Sequence, residues 1–545
     1  MQVLSLPQSV VTAYECVEEF LGERDPVVVA AFAFLGGYTL SRLWSLHTDD
    51  LGLRIHAKRS IFYYMRKLPF VKRQIEQHLK DARGNLEKSI HGNDNSGQFL
   101  SHLPQKGLSV DETVTLIKEY SAMESTNWME GRCSGAVFHI DESESDEMRI
   151  YREVCDHFAW SNPLWPKLFP GVRKMEAEIV RISANLLGGN EKTCGTMSTG
   201  GTASILLACL AHRNRALKRG IQFPEMVIPE SAHAAFIKAG ELFRIKVTRI
   251  PVDPDNYRVN VAKMRKAISD RTCMLVGSAV NFPSGAHDDI ESIGKLGQKY
   301  NIPVHVDACL GGFLLPFIDD ARPFDFRVPG VCSISADTHK YGLTPKGSSV
   351  ILYSSKEYLH NQYFCDPDWQ GGIYASSTLE GSRAGLNIAL CWASLRHHGA
   401  EGYRETSRAV VNATRKLRDA ISAIPGLKVM GACDVCVVGW TGEDGININR
   451  FHALMEQRNW GLTSLQFPAG VHLMVTMLHT QEGVIDALVK DAREVVDEIR
   501  RSPNAELTGA AALYGMAQKI PDRSIVHEFA FEYLDTCYTE PPRHN

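Results

Sequence analysis

A lysine set just past an apolar β-type run, and an aspartate that closes an earlier one, give this chain residues suited to chemistry on an amine. Val331 to Ile334 leads into Ser335-Ala336-Asp337-Thr338-His339-Lys340-Tyr341-Gly342, and Ile302-Pro303-Val304-His305-Val306-Asp307-Ala308-Cys309 precedes Gly311-Gly312. A lysine amine condenses with an aldehyde, and a carboxylate at a neighbouring strand end keeps a ring nitrogen protonated. Together these are what pyridoxal phosphate requires of a protein. Singly, each has a plainer reading: a lysine after a strand is usually solvated, and an aspartate there often caps a helix. A third feature joins them. Thr193-Cys194-Gly195-Thr196-Met197-Ser198-Thr199-Gly200-Gly201-Thr202 runs into a helix-like stretch from Ala203 to Ala211. Glycines let the backbone approach an anion, and free amides at the positive end of a helix dipole bind it.

The elements that must position these residues alternate short apolar runs with amphipathic stretches, the pattern of βαβ units and a parallel-rich sheet. Predicted strands are Met226 to Ile228, Lys246 to Ile250, Cys273 to Val280, Pro303 to Val306, Val331 to Ser335 and Ser349 to Tyr353, with a helix from Ala232 to Phe243. Reactive groups at strand ends are what such an α/β sheet provides. The 545 residues carry a net charge of −4, which gives no reason to expect nucleic acid as a partner. Thirteen cysteines, odd in number and scattered, read as reduced thiols. Cys433 and Cys436 form a C-x-x-C in a strand-like run, but no second Cys or His pair stands at zinc spacing, so no metal is expected. His397-His398 reads as a helix end or loop.

The amino-terminal region has a different character. No residue from Val27 to Ser41 is charged, and Leu43-Trp44-Ser45-Leu46 extends the apolar run past Arg42. The uncharged run predicts a single membrane helix at about 27–46, with Arg42 snorkelling and Trp44 at the interface; it is short of the roughly 20 residues that span a bilayer, so a buried helix or an uncleaved targeting segment is the alternative. Acidic Glu18, Glu19, Glu23 and Asp25 precede it, while Arg54, Lys58, Arg59, Arg66 and Lys67 follow, which places the rest of the chain in the cytosol. Phe62 to Ile90 reads as a basic helical stretch, and His91-Gly92-Asn93-Asp94-Asn95-Ser96-Gly97 as a loop break.

Longer motifs carry a resemblance. Phe158-Ala159-Trp160-Ser161-Asn162-Pro163-Leu164, Phe169-Pro170-Gly171-Val172-Arg173-Lys174-Met175-Glu176-Ala177-Glu178, Ser231-Ala232-His233-Ala234-Ala235-Phe236, Lys346-Gly347-Ser348-Ser349 and Asp368-Trp369-Gln370-Gly371-Gly372-Ile373-Tyr374-Ala375-Ser376 join the lysine segment. From about Ser134 onward the chain resembles the sphingosine-1-phosphate lyases. The resemblance implies an α/β, fold-type I, aminotransferase-like domain binding pyridoxal 5′-phosphate over 166–386 and a smaller C-terminal α/β domain over 387–502. Around them lie an N-terminal segment 1–60 with the membrane anchor, a helical region 61–165 and a tail 503–545.

It also implies roles. Lys340 would hold the cofactor aldehyde, Asp307 the pyridine nitrogen, and His233 would stack on the ring. Gly201, Thr202 and His339 would hold the cofactor phosphate, with Ser382 reaching that of the neighbouring subunit in a homodimer with shared sites. Lys346, Tyr374 and Asn162 would meet a sphingoid base phosphate, which the family cleaves at the endoplasmic reticulum membrane; a mitochondrial address is the alternative. Several positions depart from the family pattern. Phe138 and Trp165 replace a tyrosine and a histidine, both proton-transfer groups, and Ser284, Leu343 and Ala203 stand where histidine, tyrosine and glutamate are expected. An amino-acid decarboxylase using the same cofactor, or a non-catalytic anchored homologue, therefore stays open beside the lyase.

Overall fold

Four runs of nearly continuous burial build the centre of the molecule. The computed structural model describes residues 99–540 apart from 124–127, 141–144, 434 and 504–522, with scattered positions between 69 and 92. In chain order the strands of the main sheet are β1 (Cys194–Ser198), β2 (Glu225–Pro229), β3 (Lys246–Ile250), β4 (Thr272–Ser278), β5 (Val304–Asp307), β6 (Val331–Ala336) and β7 (Ser349–Tyr353). β2, β4, β5 and β7 are buried at every position, as strands covered on both faces must be. Their order is β1-β7-β6-β5-β4-β2-β3.

The run from β6 to β3 is parallel, while β7 lies antiparallel to both β6 and β1. The parallel-rich sheet read from the sequence is thus a mixed one. Between β6 and β7 the chain forms turns and no helix to carry a crossover, so it doubles back beside β6. The stretch expected as a phosphate loop also begins differently, since Cys194 to Ser198 pair with Tyr353 to Ser349 as an edge strand and leave only Thr199 and Gly200 before the helix.

Local chemistry sets the helices. α1 (Val110–Ser121) opens on a capping box between Ser109 and Glu112, and α2 (Asp146–Phe158) on Ser145, which accepts from Met148 N–H. α3 (Pro170–Leu186) starts with proline, where the missing N–H costs nothing. α4 (Gly201–Lys218), α5 (Ala235–Phe243) and α6 (Ile290–Tyr300) pack on the sheet. α7 (Gly385–Ser422) crosses α2 and α3, then breaks at Gly399, whose φ of +58° and ψ of −178° are not helical. The break directly follows His397-His398, the pair read as a helix end.

A hairpin of β8 (Phe364–Asp366) and β9 (Tyr374–Ser376) precedes α7. Beyond it a second, antiparallel sheet runs β10 (Leu427–Val429), β11 (Val437–Gly442), β13 (Gly470–Met474) and β12 (Thr463–Leu465). With α8 (Val484–Arg501) it closes a core around Trp440, Val471, Leu488 and Val495. Cys433 and Cys436 are buried there, and burial pushes the Cys436 thiol up to about 12. None of the described cysteines is in a disulfide.

Two compact units divide the chain: Asn93–Gln518, just described, and Met1–Gly92 with Lys519–Asn545. In the second unit described positions between 69 and 91 are helical, and Arg83 pairs with Glu87 and with Glu532 of the helix Arg523–Thr536. The predicted membrane helix at 27–46 lies outside the described residues. Among the described ones, no helix is long and apolar enough to cross a membrane.

Gly399 occupies backbone space that is essentially closed to residues with a Cβ. Gly399→Ala should cost about 1–3 kcal/mol, read as a lowered thermal unfolding midpoint, although nothing stands within 4 Å of the added methyl. An unchanged midpoint would show that α7 can straighten at no cost.

Candidate active site

The carboxyl ends of β4, β5 and β6 and the residues that follow β1 meet at one edge of the main sheet. There they line a cavity of about 350 Å³ with Gly201, Thr202, His233, Asp307, His339 and Lys340. Six of the ten residues singled out from sequence therefore face one space. Asp307 ends β5, and its Oδ1 accepts from Cys309 N–H at 3.1 Å and from the Ser335 hydroxyl at 3.4 Å. Behind it runs a buried chain of hydrogen bonds. Ser335 Oγ meets His305 Nε2 at 3.3 Å, His305 Nδ1 meets Ser333 Oγ at 2.9 Å, and Ser333 Oγ meets His212 Nε2 at 2.7 Å. Burial pulls both histidines down to about 3, so they are neutral and add no charge beneath Asp307.

Lys340 sits three residues past Asp337, a buried partner not singled out from the sequence, whose Oδ2 lies 2.8 Å from its Nζ. Burial alone would pull the Lys340 ammonium down, but the Asp337 charge outweighs it and holds the ammonium well above its ordinary value. Asp337 is likewise pushed up by burial and drawn below the usual carboxylate range by Lys340 and His339. Its oxygens make a close ion pair without hydrogen-bond angles, leaving them buried and incompletely satisfied. The signal for Asp337 was present as the i, i+3 spacing in Asp337-Thr338-His339-Lys340, but sequence alone does not say that the turn folds both side chains inward.

His339 Nδ1 accepts from the Gly347 and Ser348 amides, each at 3.3 Å, so its proton sits on Nε2, which faces Asp337 Oδ2 at 3.6 Å. The cradle for an anion fits its purpose. α4 begins at Gly201 with no side-chain cap, which leaves its first amides open to the cavity. A Cβ on Gly201 would lie 2.6 Å from Asp337 Oδ2, so only glycine allows this approach. Hydroxyls of Ser198, Ser204 and Ser349 are linked in series at 2.8 Å, and Ser349 donates to Ala336 C=O at 3.1 Å. That series ties the end of β1 and α4 to the strands on either side of Lys340. His233 stands at the mouth, its Nδ1 accepting from Ala235 N–H at 3.1 Å and its ring edge-on to Phe282.

The other four predicted residues are not part of this lining. Asn162 Nδ2 donates to Ser382 Oγ at 3.0 Å, and Tyr374 on β9 lies against Gly381. Arg383 grips Glu176 through two hydrogen bonds of 2.7 and 2.9 Å, while Thr199 donates to Glu380 at 3.2 Å, so the 380–383 segment flanks the anion cradle from outside. Lys346 remains exposed at the rim, with its Nζ 4.6 Å from the centre of the Phe138 ring and 3.4 Å from His339 C=O. Partial desolvation, then the Lys340 charge, pull its ammonium down to about 8.

The departures now have physical settings. Phe138 is buried, edge-on to Tyr341 at 5.0 Å and beneath Lys346. Tyr341 spends its hydroxyl on Val475 C=O. Trp165 is 62% exposed. Ser284 donates to Asn281, Leu343 is buried at φ +56°, and Ala203 lines the cavity.

Residues 155–438 match the family described as "Pyridoxal-dependent decarboxylase conserved domain". The chain is 44% identical to the sphingosine-1-phosphate lyase of Drosophila melanogaster, over 97% of either chain. It is 36% identical to that of Saccharomyces cerevisiae, over 89% of this chain and 84% of the yeast one. Among solved structures, a sphingosine-1-phosphate lyase of Burkholderia pseudomallei superposes with a TM-score of 0.73 at 35% identity, covering 82% of this chain and 98% of its own. A Lactobacillus brevis glutamate decarboxylase reaches 0.65 at 20% identity over 77% and 99%, a likeness of fold alone.

Because Asp337 is what keeps Lys340 protonated, Asp337→Asn should lower the pH at which the Lys340 amine becomes nucleophilic. In cofactor-free protein, the midpoint of Lys340 acylation against pH, followed by mass spectrometry, should move down. An unmoved midpoint would mean that another group carries the charge.

Proposed function

The chain belongs to the sphingosine-1-phosphate lyase family, and from that membership we propose that it cleaves sphingosine 1-phosphate and related sphingoid base phosphates between C2 and C3. It is a pyridoxal-phosphate-dependent lyase. The products are a long-chain aldehyde and phosphoethanolamine. The observation that carries the reading is the convergence of Lys340, Asp307 and the Gly201 cradle on one cavity, in a chain 44% identical to a named lyase over nearly its whole length.

Pyridoxal phosphate, when bound, supplies an aldehyde for an amine and a ring that takes up the electron pair released at C2. Lys340 is the amine that tethers it, and on release Nζ is placed to return a proton at C2. Asp307 would hold a proton on the ring nitrogen; Cys309 N–H and Ser335 fix its carboxylate, and the neutral His305 keeps competing charge away. Gly201, Thr202 and His339 would bind the phosphate, and His233 would lie against the ring. At the rim Lys346 receives the substrate phosphate, with Asn162 and Tyr374 beside its path. The C3 hydroxyl must lose its proton, and neither Phe138 nor Trp165 can take it; with the Tyr341 hydroxyl committed elsewhere and His233 Nδ1 occupied by the Ala235 amide, the Lys340 amine, once released, is the base proposed for that step.

A homodimer with shared sites is part of this reading. Ser382 and Tyr374 stand outside the cavity of their own chain, and around them Phe364, Trp369 and Ile373 expose 56%, 55% and 79% of their surface. Such an apolar patch suits a second copy. The anchor at 27–46 rests on its uncharged run and basic flank, and with it a place on the endoplasmic reticulum membrane with the catalytic body in the cytosol. A mitochondrial membrane is the alternative, and fractionation with protease protection separates the two.

Purified protein given sphingosine 1-phosphate should release hexadecenal and phosphoethanolamine in equal amounts; carbon dioxide from an amino acid instead would overturn the reading. Lys340→Ala should abolish both turnover and borohydride-trapped cofactor. Lys346 is cationic below its pKa of about 8 and neutral above it, so KM for the phosphorylated substrate should rise as pH passes 8. Lys346→Arg should remove that rise. Lys346→Ala should raise KM by about 1.5–3 kcal/mol, roughly 10- to 150-fold, while leaving cofactor loading intact; equal losses of both would refute its role.

A further inference from the structure

Outside the cavity, two imidazoles and one carboxylate from three separate segments converge. His139 lies in the loop before α2, Glu147 in the first turn of α2, and His398 at the break in α7. One donor atom from each lies within 4.8 Å of the others. No spacing in the sequence marks them as a set, because the fold brings them together only when α7 crosses α2. Glu147 is 5% exposed, a deeply buried carboxylate. Burial pushes it up, but His139, His398 and Tyr151 close around it, outweigh that and hold it ionised. Tyr151 donates to Glu147 Oε1 and meets Ser394 Oγ, which fixes the carboxylate from behind.

One further atom asks for a partner. His398 Nε2, 3.3 Å from Glu147 Oε1, is buried with no hydrogen bond of acceptable geometry. An imidazole nitrogen buried beside a carboxylate without a proper hydrogen bond is a group awaiting a ligand. We propose that His139, Glu147 and His398 form a binding site for one divalent first-row metal ion, zinc foremost.

Donors each about 2.1 Å from a tetrahedral ion stand about 3.4 Å apart. His398 Nε2 stands 3.3 Å from Glu147 Oε1 and His139 Nε2 2.5 Å from Oε2, so the two imidazoles flank the two oxygens of one carboxylate, and the donors, all within 4.8 Å of one another, must shift by roughly 1 Å to share an ion. Borderline nitrogen and oxygen donors suit zinc, and three protein ligands leave a fourth position for water. Tyr151 and Ser394 supply the outer hydrogen bonds that metal carboxylates need. An ion here would pin α2 to the break in α7 and fix the loop that carries Phe138. Neither effect depends on the substrate of the lyase.

The test uses untagged, full-length, cofactor-loaded protein. After chelation and dialysis, zinc is titrated in competition with a chromophoric chelator, and bound metal is counted by plasma mass spectrometry. One zinc per chain is expected for the wild type, below a tenth for Glu147→Gln and for His139→Ala, and a thermal midpoint raised by zinc in the wild type alone. His139→Ala, at a partly exposed side chain, guards against simple misfolding, with folding checked by circular dichroism. Tyr151→Phe should weaken zinc roughly 10- to 100-fold rather than abolish it. Wild-type protein that takes up less than a tenth of an equivalent, or variants that keep the full equivalent, would overturn the site and leave a hydrogen-bonded clamp in its place.

Discussion

One charge pair governs this molecule: the Lys340 ammonium 2.8 Å from the buried Asp337 carboxylate, on a wall where desolvation works against both charges. Taking two charges out of water costs several kcal/mol each, and only their mutual attraction and the surrounding dipoles offset it. Asp337 is what makes a lysine tolerable there. It also holds the amine in its protonated form. The glycine at 201 is part of the same constraint, because the carboxylate needs the room that a methyl group would fill.

Two carboxylates share the cavity and are kept apart by environment. Asp337 is drawn to lysine and to an imidazole N–H, whereas Asp307 is held by a backbone amide and a serine hydroxyl, with uncharged histidines stacked behind. The first balances the amine and the second is free to face a ring nitrogen. Environments that separate the tasks of like groups are a general way of running acid and base chemistry in one site.

Much of this was legible before any coordinates. Lys246 to Ile250 and Ser349 to Tyr353 are strands at their predicted limits, because β-branched runs bounded by turns allow few alternatives. Lys340, Asp307, His233, Gly201, Thr202 and His339 share one cavity because they follow strand ends, which an α/β sheet brings to one edge. What sequence missed was non-local. The antiparallel turn of β7 depends on a return that folds as turns without a helix, and the pairing of Asp337 with Lys340 on the handedness of a turn. Glu147, on an α2 that looks solvated from its charges, is buried only because α7 lies across it. Ser382 and Tyr374 fall outside the lining, for their positions depend on the segment wrapping the outside of the cradle.

The linked hydroxyls of Ser198, Ser204 and Ser349 have a last implication for how such a protein diversifies. By bolting the anion-binding helix to the strands flanking the reactive amine, they make the cavity floor a single casting, in which no part can be retuned without disturbing the rest. Novelty in the reaction must then enter from the margin, where Phe138, Lys346 and Trp165 already differ or stand exposed, and where exchange of one side chain leaves the foundry work untouched.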